Sequence, residues 1–103
     1  MSQALIKSFG EAKDIILEPI CTGNDDVDQM ALIEATADFG CLIETTINML
    51  ENNNKITAVL RNNFEHALNK RYECPLQLEY QQRFTEKVTP LLKRTNVCAL
   101  KEF

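Results

Sequence analysis

The chain has 103 residues, of which 45% are hydrophobic and 25% are charged, as is typical of a small globular protein. It contains only three glycines and three prolines, which favours helices over a turn-rich β protein. Apolar residues recur along the whole length, and this excludes extended disorder for most of the chain. We therefore predict one helical domain that spans residues 1–103.

Charge is divided unevenly between the two halves of the sequence. Residues 1–54 contain two basic and ten acidic side chains, whereas residues 55–103 contain nine basic and five acidic ones. The simplest interpretation is that the two halves pack together and complement each other. The alternative is a basic surface that binds an acidic partner or a nucleic acid.

The first predicted helix covers residues 2–18. Apolar side chains recur there at helical spacing, at Leu5, Phe9, Ala12 and Ile16. Pro19 ends the helix, because proline disfavours helical geometry in the residue before it. The opposite face is acidic and carries only two lysines, so we interpret this helix as one that packs on a core rather than on a membrane.

The longest helical pattern covers residues 25–50 and predicts a single helix. Its start is marked by Asn24, Asp25 and Asp26, one of which can act as the N-cap. A core-facing stripe lies within an arc of about 120°. Its members are Ala31, Leu32, Ala35, Phe39, Leu42, Ile43, Met49 and Leu50.

A second apolar strip lies on another side of this helix. It consists of Met30, Ile33, Ala37 and Cys41, which we call the second strip. Glu34 and Asp38 form one border, Gly40 lies beside it, and the small residues would let another backbone approach closely. A helix that is apolar on two sides needs two partners. We therefore predict that the second strip contacts a second copy of the chain, another segment of it or another protein.

A third helix is predicted over residues 55–72, after three consecutive asparagines. It carries His66, the only histidine, on its polar side near Asn62 and Asn69. Local spacing places neither a serine nor a cysteine beside this imidazole. We therefore interpret His66 as a surface residue rather than a general base.

A fourth helix is predicted from Pro75, since proline is tolerated in the first helical turn. Pro90 interrupts its apolar stripe, so the helix either kinks there or ends near Val88, with Thr89 capping a short fifth helix. The apolar residues of the final segment would pack back as a tail or contact a partner; they are Val97, Cys98, Leu100 and Phe103. The predicted fold is an all-α, antiparallel bundle of four main helices, because short connections join antiparallel neighbours.

The four cysteines show no metal-binding spacing, and this argues against a zinc site. The N-terminal residues lack an uninterrupted apolar segment, and no run reaches the roughly 18 apolar residues that cross a bilayer. We therefore expect a cytoplasmic protein with no membrane partner and with reduced thiols. In such a protein Cys41 is a small buried hydrophobe.

Signatures of catalysis and of nucleotide binding are missing from the sequence. The aspartates of residues 25–28 lack the glycine and glutamate that complete an EF-hand calcium loop. We predict no catalytic, cofactor-binding or metal-binding residues and no small-molecule substrate.

The leading hypothesis is a non-enzymatic regulatory or adaptor protein, homodimeric, that acts by binding a macromolecular partner. Its predicted contact residues are Met30, Ile33, Ala37 and Cys41. The alternative is a nucleic-acid-binding regulator that uses the basic second half, although a pI near 4.9 opposes binding to phosphate.

Overall fold

The computed structural model describes residues 2–52 and 56–94, and every regular element in these ranges is a helix. The elements are α1 (Ser2–Ile16), α2 (Asp25–Ala35), a π-helical turn (Thr36–Gly40), α3 (Cys41–Glu51), α4 (Ala58–Asn69) and α5 (Pro75–Arg94). The predicted all-α class is confirmed. Within the described ranges, no helix combines the length and the apolar character that crossing a membrane requires.

The elements α2, the π turn and α3 form one continuous helix, which we call the long helix. Backbone angles stay helical at both junctions, with φ −63° and ψ −42° at Thr36 and φ −61° and ψ −40° at Cys41. Asn24 is the N-cap, and its side-chain oxygen accepts a hydrogen bond from the Val27 N–H at 3.3 Å. The helix predicted over residues 25–50 is therefore present, with the predicted kind of cap.

The π turn keeps the core-facing side chains of the long helix in line. Ala31, Ala35, Phe39 and Ile43 are all buried and follow one another at intervals of four residues. On a regular α-helix each such interval rotates the side chain by about 40°, because the helix turns about 100° per residue. A π-helix closes its hydrogen bonds over one more residue per turn, so it offsets part of this rotation near Phe39. A prediction based on uniform α-helical geometry could not include this turn.

The helices surround one cluster of buried side chains. α1 packs against α3 and α5, while α5 also contacts α2 and α4. Three aromatic rings join the long helix, α4 and α5 at the centre. The rings of Phe39 and Phe84 stack with centroids 4.7 Å apart, and Phe64 stacks on Phe84 at 5.9 Å. Such pairs stabilise a core beyond the burial of their area.

Gly40 lies where the long helix meets α1. A Cβ at this position would be only 3.1 Å from Cδ1 of Leu17, so the absence of a side chain permits the close approach. Gly40 is buried. Its packing role therefore belongs to the contact with α1 and not to the second strip, beside which the uniform helical pattern placed it.

Hydrogen bonds hold the loop between α1 and the long helix to α5 and to the start of α2. The Arg83 guanidinium donates to the carbonyl of Glu18 at 2.7 Å, and the Tyr80 hydroxyl accepts the Ile20 N–H at 3.1 Å. Asp28 accepts hydrogen bonds from the hydroxyl and the N–H of Thr22. These bonds stabilise the carboxylate and lower the pKa of Asp28 below its usual value.

Several predicted boundaries differ from the observed ones. α1 ends at Ile16 rather than at residue 18, and the third predicted helix covers Ala58–Asn69 rather than residues 55–72. Thr57 is the N-cap of α4, because its hydroxyl accepts the Leu60 N–H at 3.2 Å. Lys70 ends α4 with an extended backbone at φ −64° and ψ 137°.

α5 continues through Pro90 to Arg94. Of the two predicted alternatives, the end near Val88 with Thr89 capping a fifth helix is therefore wrong, and the helix that passes through Pro90 is the one observed. Proline leaves the carbonyl of Glu86 without its helical N–H donor. Because Glu86 and Pro90 are both exposed, water can bind that carbonyl and the helix can continue. The predicted tail contacts of residues 97–103 lie outside the described residues.

Candidate partner-binding surface

All four residues of the second strip are exposed on the long helix. Met30 is 71% exposed and Ile33 is 63% exposed, and the side chains of Ala37 and Cys41 also face solvent. Val27, 44% exposed, extends the strip by one turn towards the helix start. From Val27 to Cys41 the strip is about 21 Å long, at 1.5 Å per residue.

The expectation that Cys41 is a small buried hydrophobe is wrong for the single chain. Cys41 lies two residues from both Phe39 and Ile43, which are buried. Two residues correspond to about 200° around a helix, so a residue between two core positions faces the opposite side. The thiol is free, as are those of Cys21 and Cys74.

A groove of about 220 Å³ opens beside one end of the second strip. Its walls come from the long helix, from α4 and from the segment after α4. The lining residues are Ala37, Asp38, Cys41, Leu42, Asn63, His66, Ala67, Lys70 and Tyr72. Since Ala37 and Cys41 belong to both features, the strip and the groove form one continuous surface.

A polar cluster joins the two walls of the groove. The Tyr72 hydroxyl donates a hydrogen bond to Oδ2 of Asp38 at 2.7 Å, and Nζ of Lys70 lies 3.5 Å from the same oxygen. The Lys70 ammonium also lies 4.8 Å from the centroid of the Tyr72 ring. The Lys70–Asp38 pair connects the acidic and the basic halves of the sequence.

Tyr72 is held as a neutral hydrogen-bond donor. Partial burial raises the pKa of its phenol well above the usual value, and the hydrogen bond to Asp38 raises it further. The negative charges of Asp38 and Glu34 act in the same direction. The ring also packs edge-on against Phe39 at 6.0 Å, so Tyr72 couples the groove to the core.

His66 and Cys41 line the same groove although they are far apart in the sequence. Local spacing could not predict this, because the packing of α4 beside the long helix creates the proximity. His66 is exposed, as expected of a surface histidine. No hydrogen bond between the two side chains is present, and within residues 2–52 and 56–94 no group of three His, Cys, Asp or Glu side chains could hold a metal ion.

The free charges along the second strip are negative. Residues 25–51 contain neither lysine nor arginine. On this helix Glu44 pairs with Lys13, Asp28 binds Thr22 and Asp38 binds Tyr72. Asp26 and Glu34 are exposed and lack an ion pair or hydrogen bond to any other described side chain. These two carboxylates therefore have no ion-pair partner among the described residues.

Comparison of the chain with family models, curated proteins and solved structures found no match, so its function is inferred from its own surface chemistry.

Proposed function

We propose that the protein is a small, non-enzymatic helical regulator or adaptor that binds a macromolecular partner through the second strip and the adjoining groove. The observation that carries this proposal is the exposure of Met30 and Ile33 on a helix whose other face forms the core. Single exposed apolar residues are common on protein surfaces. The strip is about 21 Å long and continues into the groove, and this continuity supports a binding surface rather than scattered apolar residues.

A second copy of the chain is one partner in this proposal, giving the homodimer that the sequence predicts. The small side chains of Ala37 and Cys41 support it, because they let another backbone come close. We also propose that neighbouring helices of the bundle run antiparallel. The short connection over residues 70–74 supports this arrangement, since short loops join antiparallel neighbours.

We also propose that the protein is cytoplasmic. Cys21, Cys41 and Cys74 are free thiols within the described part of the chain. Free thiols are typical of a reducing compartment.

The substitution Ala37→Arg tests the role of the second strip. Ala37 is exposed, so the variant should remain folded, with a change in unfolding free energy within about 0.5 kcal/mol. It should lose any self-association, measured as molar mass by light scattering after size exclusion at low and high salt. It should also lose partners that the native protein captures.

The matched control is Ala4→Arg, which changes an exposed alanine of α1 in the same way. Circular dichroism confirms that both variants are folded. If Ala37→Arg keeps the native molar mass and captures the same proteins as Ala4→Arg, the second strip is not the interface.

Nucleic-acid binding by the basic half is the second proposal. Lys87, Lys93 and Arg94 are exposed on the C-terminal half of α5, which supports it. Other cations of this half are engaged, since Lys70 pairs with Asp38 and Arg83 binds backbone carbonyls. Retention on a heparin or DNA matrix at low salt separates the two proposals, because binding to phosphate is strongly salt-dependent.

A further inference from the structure

The charges and shape of the second strip identify the chemistry of its partner. We infer that the strip and groove bind a basic amphipathic helix of another protein, an inference that rests on the proposed function. Three observations carry this inference: the dimensions of the strip, the sign of its free charges and the area that it offers.

The dimensions fit one short helix. The strip runs about 21 Å from Val27 to Cys41, which is the length of a helix of about 14 residues. A partner helix that lies along it would place apolar side chains at helical spacing against Met30, Ile33 and Ala37. The groove of about 220 Å³ beside Ala37 and Cys41 can receive one apolar side chain as an anchor.

The charges of the long helix favour a basic partner. Asp26 and Glu34 border the strip as unpaired carboxylates, and no cation of residues 25–51 offsets them. A helix with lysine or arginine on both sides of its apolar face would pair with these groups as it binds. An acidic or neutral helix of the same apolar pattern would leave them unpaired and, if acidic, would repel them.

For the strip itself, the same observations favour a helix of another protein over the second copy that the sequence predicts. A symmetric dimer brings the same patch of both copies together, so the two acidic long helices would face each other while Lys70 of each groove is already paired with Asp38. The strip also offers a projected area on the order of 200 Å², given a helix diameter of about 10 Å. Stable interfaces bury about 800 Å² per partner, so the strip suits a short, reversibly bound helix.

A designed peptide serves as the probe. It has about 15 residues, with leucine at positions i, i+3, i+4, i+7 and i+11 and with lysine on the flanks. One control peptide has glutamate in place of every lysine. A second has the same composition with the leucines spread around the helix. Binding is measured by fluorescence anisotropy with the full chain, at low salt and at high salt.

Two matched pairs of protein variants locate the binding site. Ile33→Gln changes the strip, whereas Ile15→Gln changes an isoleucine of α1 that is 47% exposed. Glu34→Gln removes a border charge, and Glu11→Gln removes an exposed charge from α1.

The leucine–lysine peptide should bind the native chain with one-to-one stoichiometry. Ile33→Gln should weaken binding by about tenfold or more, because it removes a central apolar contact. Glu34→Gln should weaken it by about threefold at low salt and less at high salt. The two α1 variants should bind like the native chain.

Three results would overturn the inference. The first is no binding of the leucine–lysine peptide, or equal loss in Ile33→Gln and Ile15→Gln. The second is equal binding of the glutamate peptide, which would show that the partner helix need not be basic. The third is a native dimer that Ile33→Gln dissociates, which would make a second copy the occupant. After that third result the second strip would still be the interface, with a different occupant. If Ala37→Arg changes neither self-association nor the captured partners, the second strip is not an interface at all.

Discussion

The two faces of the long helix are built from similar residues but have opposite environments. Ala31, Phe39 and Ile43 are buried on one face, whereas Met30 and Ile33 are largely exposed on the other. Hydrophobicity alone does not separate them, since both faces carry large apolar side chains. The difference lies in the neighbours, because α1, α4 and α5 cover one side only.

This contrast explains why the chain can fold while it keeps an apolar strip free. Burial of the inner face supplies the stabilisation that holds the fold. The outer face adds little to that stabilisation in the isolated chain. Binding to a partner, rather than folding, can therefore determine which residues lie there. Substitutions on the two faces should therefore separate stability from association.

The largest expected effect comes from truncating the inner face. Phe39→Ala removes a fully buried ring that stacks on Phe84 and contacts Tyr72, so it should lower the unfolding free energy by about 3–5 kcal/mol. Ile33→Ala, on the exposed face, should change it by less than about 0.5 kcal/mol. Urea denaturation followed by circular dichroism measures both values. A loss of more than about 2 kcal/mol in Ile33→Ala would show that the second strip is already buried, within the chain or in a dimer.

An intermediate effect is expected at the groove, where the two faces meet. Tyr72→Phe removes the hydrogen bond to Asp38 and should cost about 1–2 kcal/mol at neutral pH. Asp38→Asn should lower the pKa of Tyr72 towards its usual value, because it removes the negative charge that opposes ionisation of the phenol. The ultraviolet absorbance of tyrosinate reports this pKa.

The pH dependence follows from the sign of that shift. The folded state raises the pKa of Tyr72, so it favours the neutral phenol. The stabilisation is therefore fully present below the unfolded pKa of about 10 and is lost as the pH rises through the folded value. Tyr72→Phe should lose less stability than the native chain above about pH 10. An identical alkaline loss in both proteins would contradict the role assigned to Tyr72.

The smallest expected effect concerns two glycines in helices. Gly10→Ala adds a methyl group with nothing within 4 Å and should stabilise the protein by about 0.5–1 kcal/mol. Gly40→Ala brings a methyl group to 3.1 Å from Leu17, so it should be at least about 1 kcal/mol less stable than Gly10→Ala. Thermal and urea unfolding of the two variants provide the comparison. Equal stabilisation by both substitutions would mean that the Leu17 side chain moves away from the added methyl group without a measurable cost in free energy.

The sequence alone determined the helical class, the long helix and the three candidates for its N-cap, of which the structure selects Asn24. Periodic apolar residues and capping side chains act over a few positions, so they can be read from the spacing of Ala31, Ala35 and Phe39 and from the polar residues that precede them. The same local spacing separated the second strip from the core stripe. The structure places all four of its predicted residues on the exposed surface.

Only the tertiary structure decided the π turn, the continuation of α5 through Pro90 and the groove. The π turn lies among four side chains that are buried against other helices, and Pro90 is tolerated because Glu86, whose carbonyl loses its helical donor, is exposed. The groove depends on contacts between distant segments, such as Tyr72 with Asp38. Local patterns contain no information about which distant segments meet, because that choice follows from packing the whole core at once.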